Sequence, residues 1–244
     1  IMSSDWSSDV CSSDLDGDTA VKSACGGVEW DTAGFVSKVE SAGEKLAVLR
    51  RPPVALEPGE YRVFLSPHAL AEIAGMISTG FGLKECRTKN TCLLKMLEGR
   101  QRLSPAVAVC ENNAGGLGPD FTAKGFIVPD SIQLVSDGTL TGNLVSSRSA
   151  AEYGETPNAG SEMPAALELA PGDIPDSEIF KRLDTGIYIG RLWYLNFSDV
   201  PACRITGMTR FDVFHVEHGE IRAPVKVMRF DETAYRVLGR NLQG

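Results

Sequence analysis

The 244-residue sequence predicts an α+β fold, mostly antiparallel β with a few helices, its sheet curved or barrel-like. Three observations point there. A single long stretch with helical periodicity precedes a Pro/Gly-rich break at residues 52–59. Short alternating apolar runs dominate after the break. Four of these runs pair around Asp137-Gly138 and His218-Gly219, dipeptides suited to tight hairpin turns.

Taken in order, Asp16–Glu29 reads as the end of a strand and a turn. Phe35, Val39, Ala42, Leu46 and Leu49 then recur at three- and four-residue steps, with Asp31 or Thr32 available as N-cap, which predicts a helix over 31–49. "RRPPVALEPGEY" ends it and marks a domain boundary near residue 50. "YRVFLSP" is a short strand. "HALAEIAGMIS" is a helix with Ser66 as N-cap and Pro67 at its first position. "PAVAVCEN" is a buried strand, and "SIQLVSDGTLTGNLVSS" a hairpin. Residues 155–176 form a long Pro/Gly/Ala loop. "GIYIGRLWYLNFS" reads as one long strand, "FDVFHVEHGEIRAPVKVMRF" as a second hairpin, and "DETAYRVLGRNL" as a closing helix.

The first fifteen residues need a separate explanation. Residues 5–15, "DWSSDVCSSDL", are the translation of a common sequencing adapter over eleven positions. Ile1–Leu15 is therefore a cloning or assembly artefact, expected to be disordered, and Trp6 and Cys11 carry no functional meaning. The native start, with any targeting signal, is expected to be missing.

Discounting Asp5, Asp9 and Asp14 leaves 29 acidic against 24 basic side chains, a net of −5 in place of −8. With no Lys/Arg stripe to displace counterions, nucleic acid is not an expected partner. No apolar run approaches the ~18 residues of a membrane span, so no membrane partner is expected either. The remaining cysteines, Cys25, Cys86, Cys92, Cys110 and Cys203, are odd in number and form no C-x-x-C. That is the pattern of reduced thiols in a cytoplasmic protein.

Chemistry-bearing residues are sparse. His68 begins a helix and is expected to face solvent. His215 and His218, three apart on a strand, should point to opposite faces and not at one ion; zinc ligation is the alternative. Cys86 and Cys92 have no histidine near them. Gly115, Gly116 and Gly118 lie in "NNAGGLGPDF", which no helix follows as a phosphate loop requires. The cluster reads as a surface loop, available to line a cleft.

The C-terminal half resembles the TldD/PmbA (TldE) family. The resemblance is carried by "EPGEYRVFLSP", "GIYIGRLWYLNFSD" and, most specifically, Thr206-Gly207 followed by Glu217, Gly219, Glu220, Ile221, Pro224 and Val225. "GGLGPDFTAKG" and "SDGTLTGNLVSSRSA" are similar to that family's loop and hairpin. The resemblance runs from about residue 50 to 243. It implies a TldD/PmbA C-terminal domain at 51–244, cut short at its end, with 16–50 the remnant of an N-terminal α/β domain.

TldD-type members are zinc peptidases whose helix carries H-E-x-x-x-H, with a later cysteine completing the site. Here Glu72 stands at the glutamate, but Ala71 and Met76 replace the histidines, and Cys203 precedes the T-G motif and is not the matching ligand. An alanine has no donor atom and a thioether is a poor zinc ligand. The resemblance thus implies a TldE-like, zinc-free chain that pairs with a TldD-type catalytic subunit, which holds the zinc, and acts on extended or unfolded peptides. Glu72 is the candidate catalytic position, and Gly115, Gly116, Gly118, Thr206 and Gly207 are candidate binding positions. Two alternatives stay open: a self-sufficient metallopeptidase using His68, His215 or His218, and a peptide-binding scaffold in line with the family's association with gyrase modulation.

Overall fold

The computed structural model describes residues 20–24, 26, 27, 29–116 and 118–243. Residues 1–15, expected to be an adapter-derived artefact, lie outside them, as does part of the strand end and turn expected at 16–29. In chain order the elements are α1 (Thr32–Leu49), β1 (Val63–Leu65), α2 (Pro67–Ser78), α3 (Leu83–Arg87), α4 (Leu94–Leu97), β2 (Val109–Asn112), β3 (Ser131–Ser136) and β4 (Thr139–Leu140). There follow α5 (Ser147–Tyr153), β5 (Leu167–Leu169), α6 (Ile179–Leu183), β6 (Gly186–Ile189), β7 (Leu192–Asp199), β8 (Arg204–Thr209), β9 (Val213–Glu217), β10 (Glu220–Pro224) and β11 (Met228–Thr233). The described residues divide into two units, those within 1–72, 174–194 and 207–230 and those within 73–173, 195–206 and 231–244.

The first unit is built on a sheet of order β1-β6-β9-β10. β1 runs parallel to β6, whereas β6–β9 and β9–β10 are antiparallel. α1 packs on this sheet: Leu49 and Val21 meet the fully buried Phe214, with Ala42, Leu46, Tyr188 and Ile221 around them. Local chemistry fixes both helix starts. Asp31 Oδ1 accepts the Gly34 N–H at 2.9 Å, and Ser66 Oγ accepts the Ala69 N–H at 3.2 Å, with Pro67 as the first residue of α2. The β9–β10 turn places His218 and Gly219 at φ 52° and 75°, the left-handed pair that a two-residue hairpin needs.

The second unit holds a sheet of order β4-β3-β2-β5. Asp137 and Gly138, at φ 48° and 69°, turn β3 into β4. Val109, Leu134 and Val135 are almost fully buried, and Leu83, Val145 and Ala150 pack together with Tyr153 beside them. A third sheet has the order β11-β8-β7.

The α+β class, with mostly antiparallel pairing and few helices, is the one expected. The sheets are not closed into a barrel. Three local expectations need correction. The single strand expected over 186–198 is two strands in different sheets, because Gly190 turns the chain: its N–H donates to Asp212 O at 2.9 Å, and its carbonyl accepts the Ser66 hydroxyl at 2.6 Å. The closing helix expected over 231–242 begins late: Asp231, Glu232 and Thr233 extend β11, and the helical stretch runs from Ala234 through the π-type turn Arg236–Arg240. The long 155–176 loop contains β5, which pairs with β2. Among the described residues, no helix is long and apolar enough to cross a membrane.

Candidate functional site

The sequence directs attention to α2, whose turn at 71–76 would carry the zinc-binding motif. Glu72 is half-buried there and engaged. Its Oε2 accepts the Leu192 N–H at 2.7 Å, and Arg191 Nη1 lies 3.7 Å from Oε1. Burial raises the Glu72 carboxyl above the usual carboxylate range, opposed by the Leu192 N–H and the charges of Arg191 and Lys22. This carboxylate anchors the start of β7.

The positions on either side of it offer no grip on a divalent cation. Ala71 is solvent-exposed and has no donor atom, and Met76 presents a thioether. The residues present do not fit the family's zinc. Among the described residues, no group of three His, Cys, Asp or Glu side chains is arranged to hold a metal ion.

Around Glu72 the first unit assembles a polar cluster that the sequence reading missed. Lys45, from α1, donates to Asp212 Oδ2 at 2.6 Å and to the Tyr188 hydroxyl at 3.3 Å. Burial works against the Lys45 charge, but Asp212 and then Tyr188 outweigh it and hold the ammonium above its ordinary pKa. Asp212 is almost fully buried, and its Oδ1 has no hydrogen-bond partner among the described residues. Arg191 Nε donates to the Lys22 carbonyl at 3.3 Å, tying the segment 20–24 to the start of β7. The one sequence signal for this cluster was an acid flanked by apolar residues, "FDVF", at 211–214.

His68 is half-buried and not simply solvent-facing. It lies one turn before Glu72 on the same helix face. Burial, then the charges of Arg191, Lys38 and Lys45, push its pKa down, against an upward pull from Asp212. A histidine whose folded pKa is lowered contributes stability that is present above its unfolded value and lost as pH falls through the folded one. Melting temperatures between pH 8 and pH 5 should therefore fall more for the wild type than for His68→Gln, and equal slopes would contradict this.

The other candidates take structural places. His215 lies 3.8 Å from Glu217, and His218 is a turn residue. Cys86 and Cys92 are buried free thiols, the Cys86 thiol pushed up to about 11 by burial, which suppresses its thiolate. The Gly115 N–H donates to Asn112 Oδ1 at 3.0 Å, and a Cβ at Gly116 would lie 2.7 Å from the Ala166 side chain. The buried Glu111 holds the same neighbouring loop, its Oε1 accepting from Ala165 N and Ala166 N at 2.6 and 3.0 Å. Gly115 and Gly116 thus serve loop packing, while Gly118 has open space around it. Thr206 and Gly207 lie within β8. Gly115, Gly116, Gly118 and Thr206 belong to the second unit, Glu72 and Gly207 to the first.

Residues 58–244 match the model of the PmbA/TldA metallopeptidase C-terminal domain. No curated protein matches the chain. Among solved structures, TldE from Thermococcus kodakarensis superposes with a TM-score of 0.73 at 16% identity, over 86% of this chain and 49% of that one. Two proteins described as candidate modulators of DNA gyrase have the same fold. The one from Thermotoga maritima has a TM-score of 0.68 at 19% identity, over 82% of this chain and 47% of its own. The one from Bacteroides thetaiotaomicron has a TM-score of 0.66 at 16% identity, over 82% and 45%. The chain spans about half the length of these structures.

Proposed function

The chain belongs to the PmbA/TldD metallopeptidase family, and from that premise we propose that it is the TldE-like, zinc-free subunit of a heteromeric peptidase. Its partner is a TldD-type subunit that holds the zinc and cleaves extended or unfolded peptides. The observation that carries this reading is the chemistry at α2. Ala71 and Met76 occupy the ligand positions, and Glu72, the residue that would activate a metal-bound water, spends its carboxylate on the Leu192 N–H and Arg191. The free thiols Cys86, Cys92, Cys110 and Cys203 favour a reducing, cytoplasmic setting.

Reconstitution with an H-E-x-x-x-H-bearing subunit tests the proposal. Peptide cleavage should require both chains and should survive Glu72→Gln in this one, because a glutamine carbonyl still accepts the Leu192 N–H. Cleavage should vanish when the partner's motif glutamate is replaced. Cleavage by this chain alone, or its loss in Glu72→Gln with the pair still assembled, would overturn the assignment.

A further inference from the structure

Two thiols of the second unit meet in a way that the reading above does not use. Cys203 ends the turn between β7 and β8, and Cys92 lies just before α4. Both are almost fully buried, and their sulfurs are hydrogen-bonded to each other. The chain after β11 holds them side by side. The Ala234 N–H donates to Cys203 O at 2.9 Å, and the hydroxyl of its neighbour Tyr235 donates to Cys92 O at 3.4 Å. Cys203 adopts φ 47°, in the left-handed region that glycine and asparagine occupy at least cost. The turn thus carries a sulfur where its backbone favours a residue without one. One side-chain layer covers Cys92: its Sγ lies 3.9 Å from the hydroxyl of the exposed Thr79, and a Cβ at Gly80 would lie 2.8 Å from the same sulfur.

We propose that Cys92 and Cys203 form an oxidisable pair, a site of reversible disulfide formation that takes a small hydroperoxide as its oxidant. Cys92 is the attacking sulfur. The hydrogen bond from Cys203, helped by that from Thr79, lowers the Cys92 pKa against its burial, whereas the bond to Cys92 and then burial push Cys203 up. Thiolate therefore gathers on Cys92, the sulfur nearer to solvent. That thiolate takes one peroxide oxygen as the O–O bond breaks, and the departing hydroxide picks up the proton Cys92 had lost, giving water and a sulfenic acid. The Cys203 sulfur then attacks Cys92, the S–O bond breaks, and the hydroxyl leaves with the Cys203 proton as a second water. Two thiols are oxidised by two electrons, and the peroxide is reduced to two waters. The bridge would tie the β7–β8 turn to the segment entering α4, and a thiol reductant would release it.

The test treats the folded, reduced chain with hydrogen peroxide, then alkylates the remaining thiols under denaturing conditions and maps the peptides. It needs neither partner nor cleavage, so its failure and that of the subunit assignment are distinguishable. Alkylation should be lost at both Cys92 and Cys203. In its place should appear a cross-linked pair of peptides carrying these two residues, two hydrogens lighter than the separate peptides and absent after dithiothreitol. In Cys203→Ser the sulfenic acid on Cys92 has no thiol to meet, and dimedone should label it there. In Cys92→Ser dimedone should leave Cys203 unlabelled. Melting curves check that each variant is folded, and the wild-type map decides the matter without them. Cys92 and Cys203 both still alkylated after peroxide, or Cys92 bridged to Cys86 in place of Cys203, would overturn the proposal.

Discussion

Gly190→Ala should cost this protein about 3–5 kcal/mol, the penalty of breaking a buried ion pair from one side. An ideal Cβ at Gly190 would lie 2.0 Å from Asp212 Oδ2, with the rest of the carboxylate close behind. That carboxylate cannot simply move aside. It is almost fully buried and takes the Lys45 ammonium at 2.6 Å. The backbone of Gly190 is equally constrained, bonded to Asp212 O and to the Ser66 hydroxyl. Displacing Asp212 would leave a buried negative charge without its counter-ion. The melting temperature should fall by roughly 10 °C, at about 2–4 °C per kcal/mol for a chain of this size. Gly43→Ala in α1 is the contrasting control: a Cβ there meets nothing within 4 Å, and the change should stabilise by about 0.5–1 kcal/mol. A Gly190→Ala protein that melts with the wild type would refute the packing described here.

Phe214→Ala should be comparably severe, at about 3–5 kcal/mol. Phe214 is fully buried on β9 and stacks with Tyr188 at 6.0 Å between centroids. Tyr188 also meets Phe64 at 5.7 Å and Phe180 at 5.5 Å, so the truncation opens a cavity in an aromatic cluster. Because Leu49 and Val21 pack on the same ring, the variant should loosen α1 as well. Hydrogen exchange in α1 should accelerate along with the loss of denaturant midpoint. A midpoint drop with α1 protection intact would show that the helix is held by Lys45 and not by this core.

Which features the sequence disclosed follows from the range of their causes. The cap at Asp31, the Ser66-Pro67 helix start and the two left-handed turns are set by residues within four positions of one another, and all could be read directly. The break between β6 and β7 could not. Apolar alternation continues across it, and its cause, the close approach of Gly190 to Asp212, lies 22 positions away. The closing helix starts later than expected for a related reason: "DETAYRVLG" has helical spacing, but pairing within the β11-β8-β7 sheet draws its first three residues into β11. Glu72 was legible through its motif. Its partners were not, because Arg191, Leu192, Asp212 and Lys45 reach the same region from β6–β7, β9 and α1, and no local pattern announces that meeting.

The reading of the chain as a metal-free companion stands on two side chains of α2, and the zinc content of the isolated protein tests it most directly. After dialysis against zinc and removal of loosely held ions, elemental analysis should find far less than one zinc per chain, with no change in Glu72→Gln. One tightly held zinc per chain, lost when Glu72 is replaced, would contradict it.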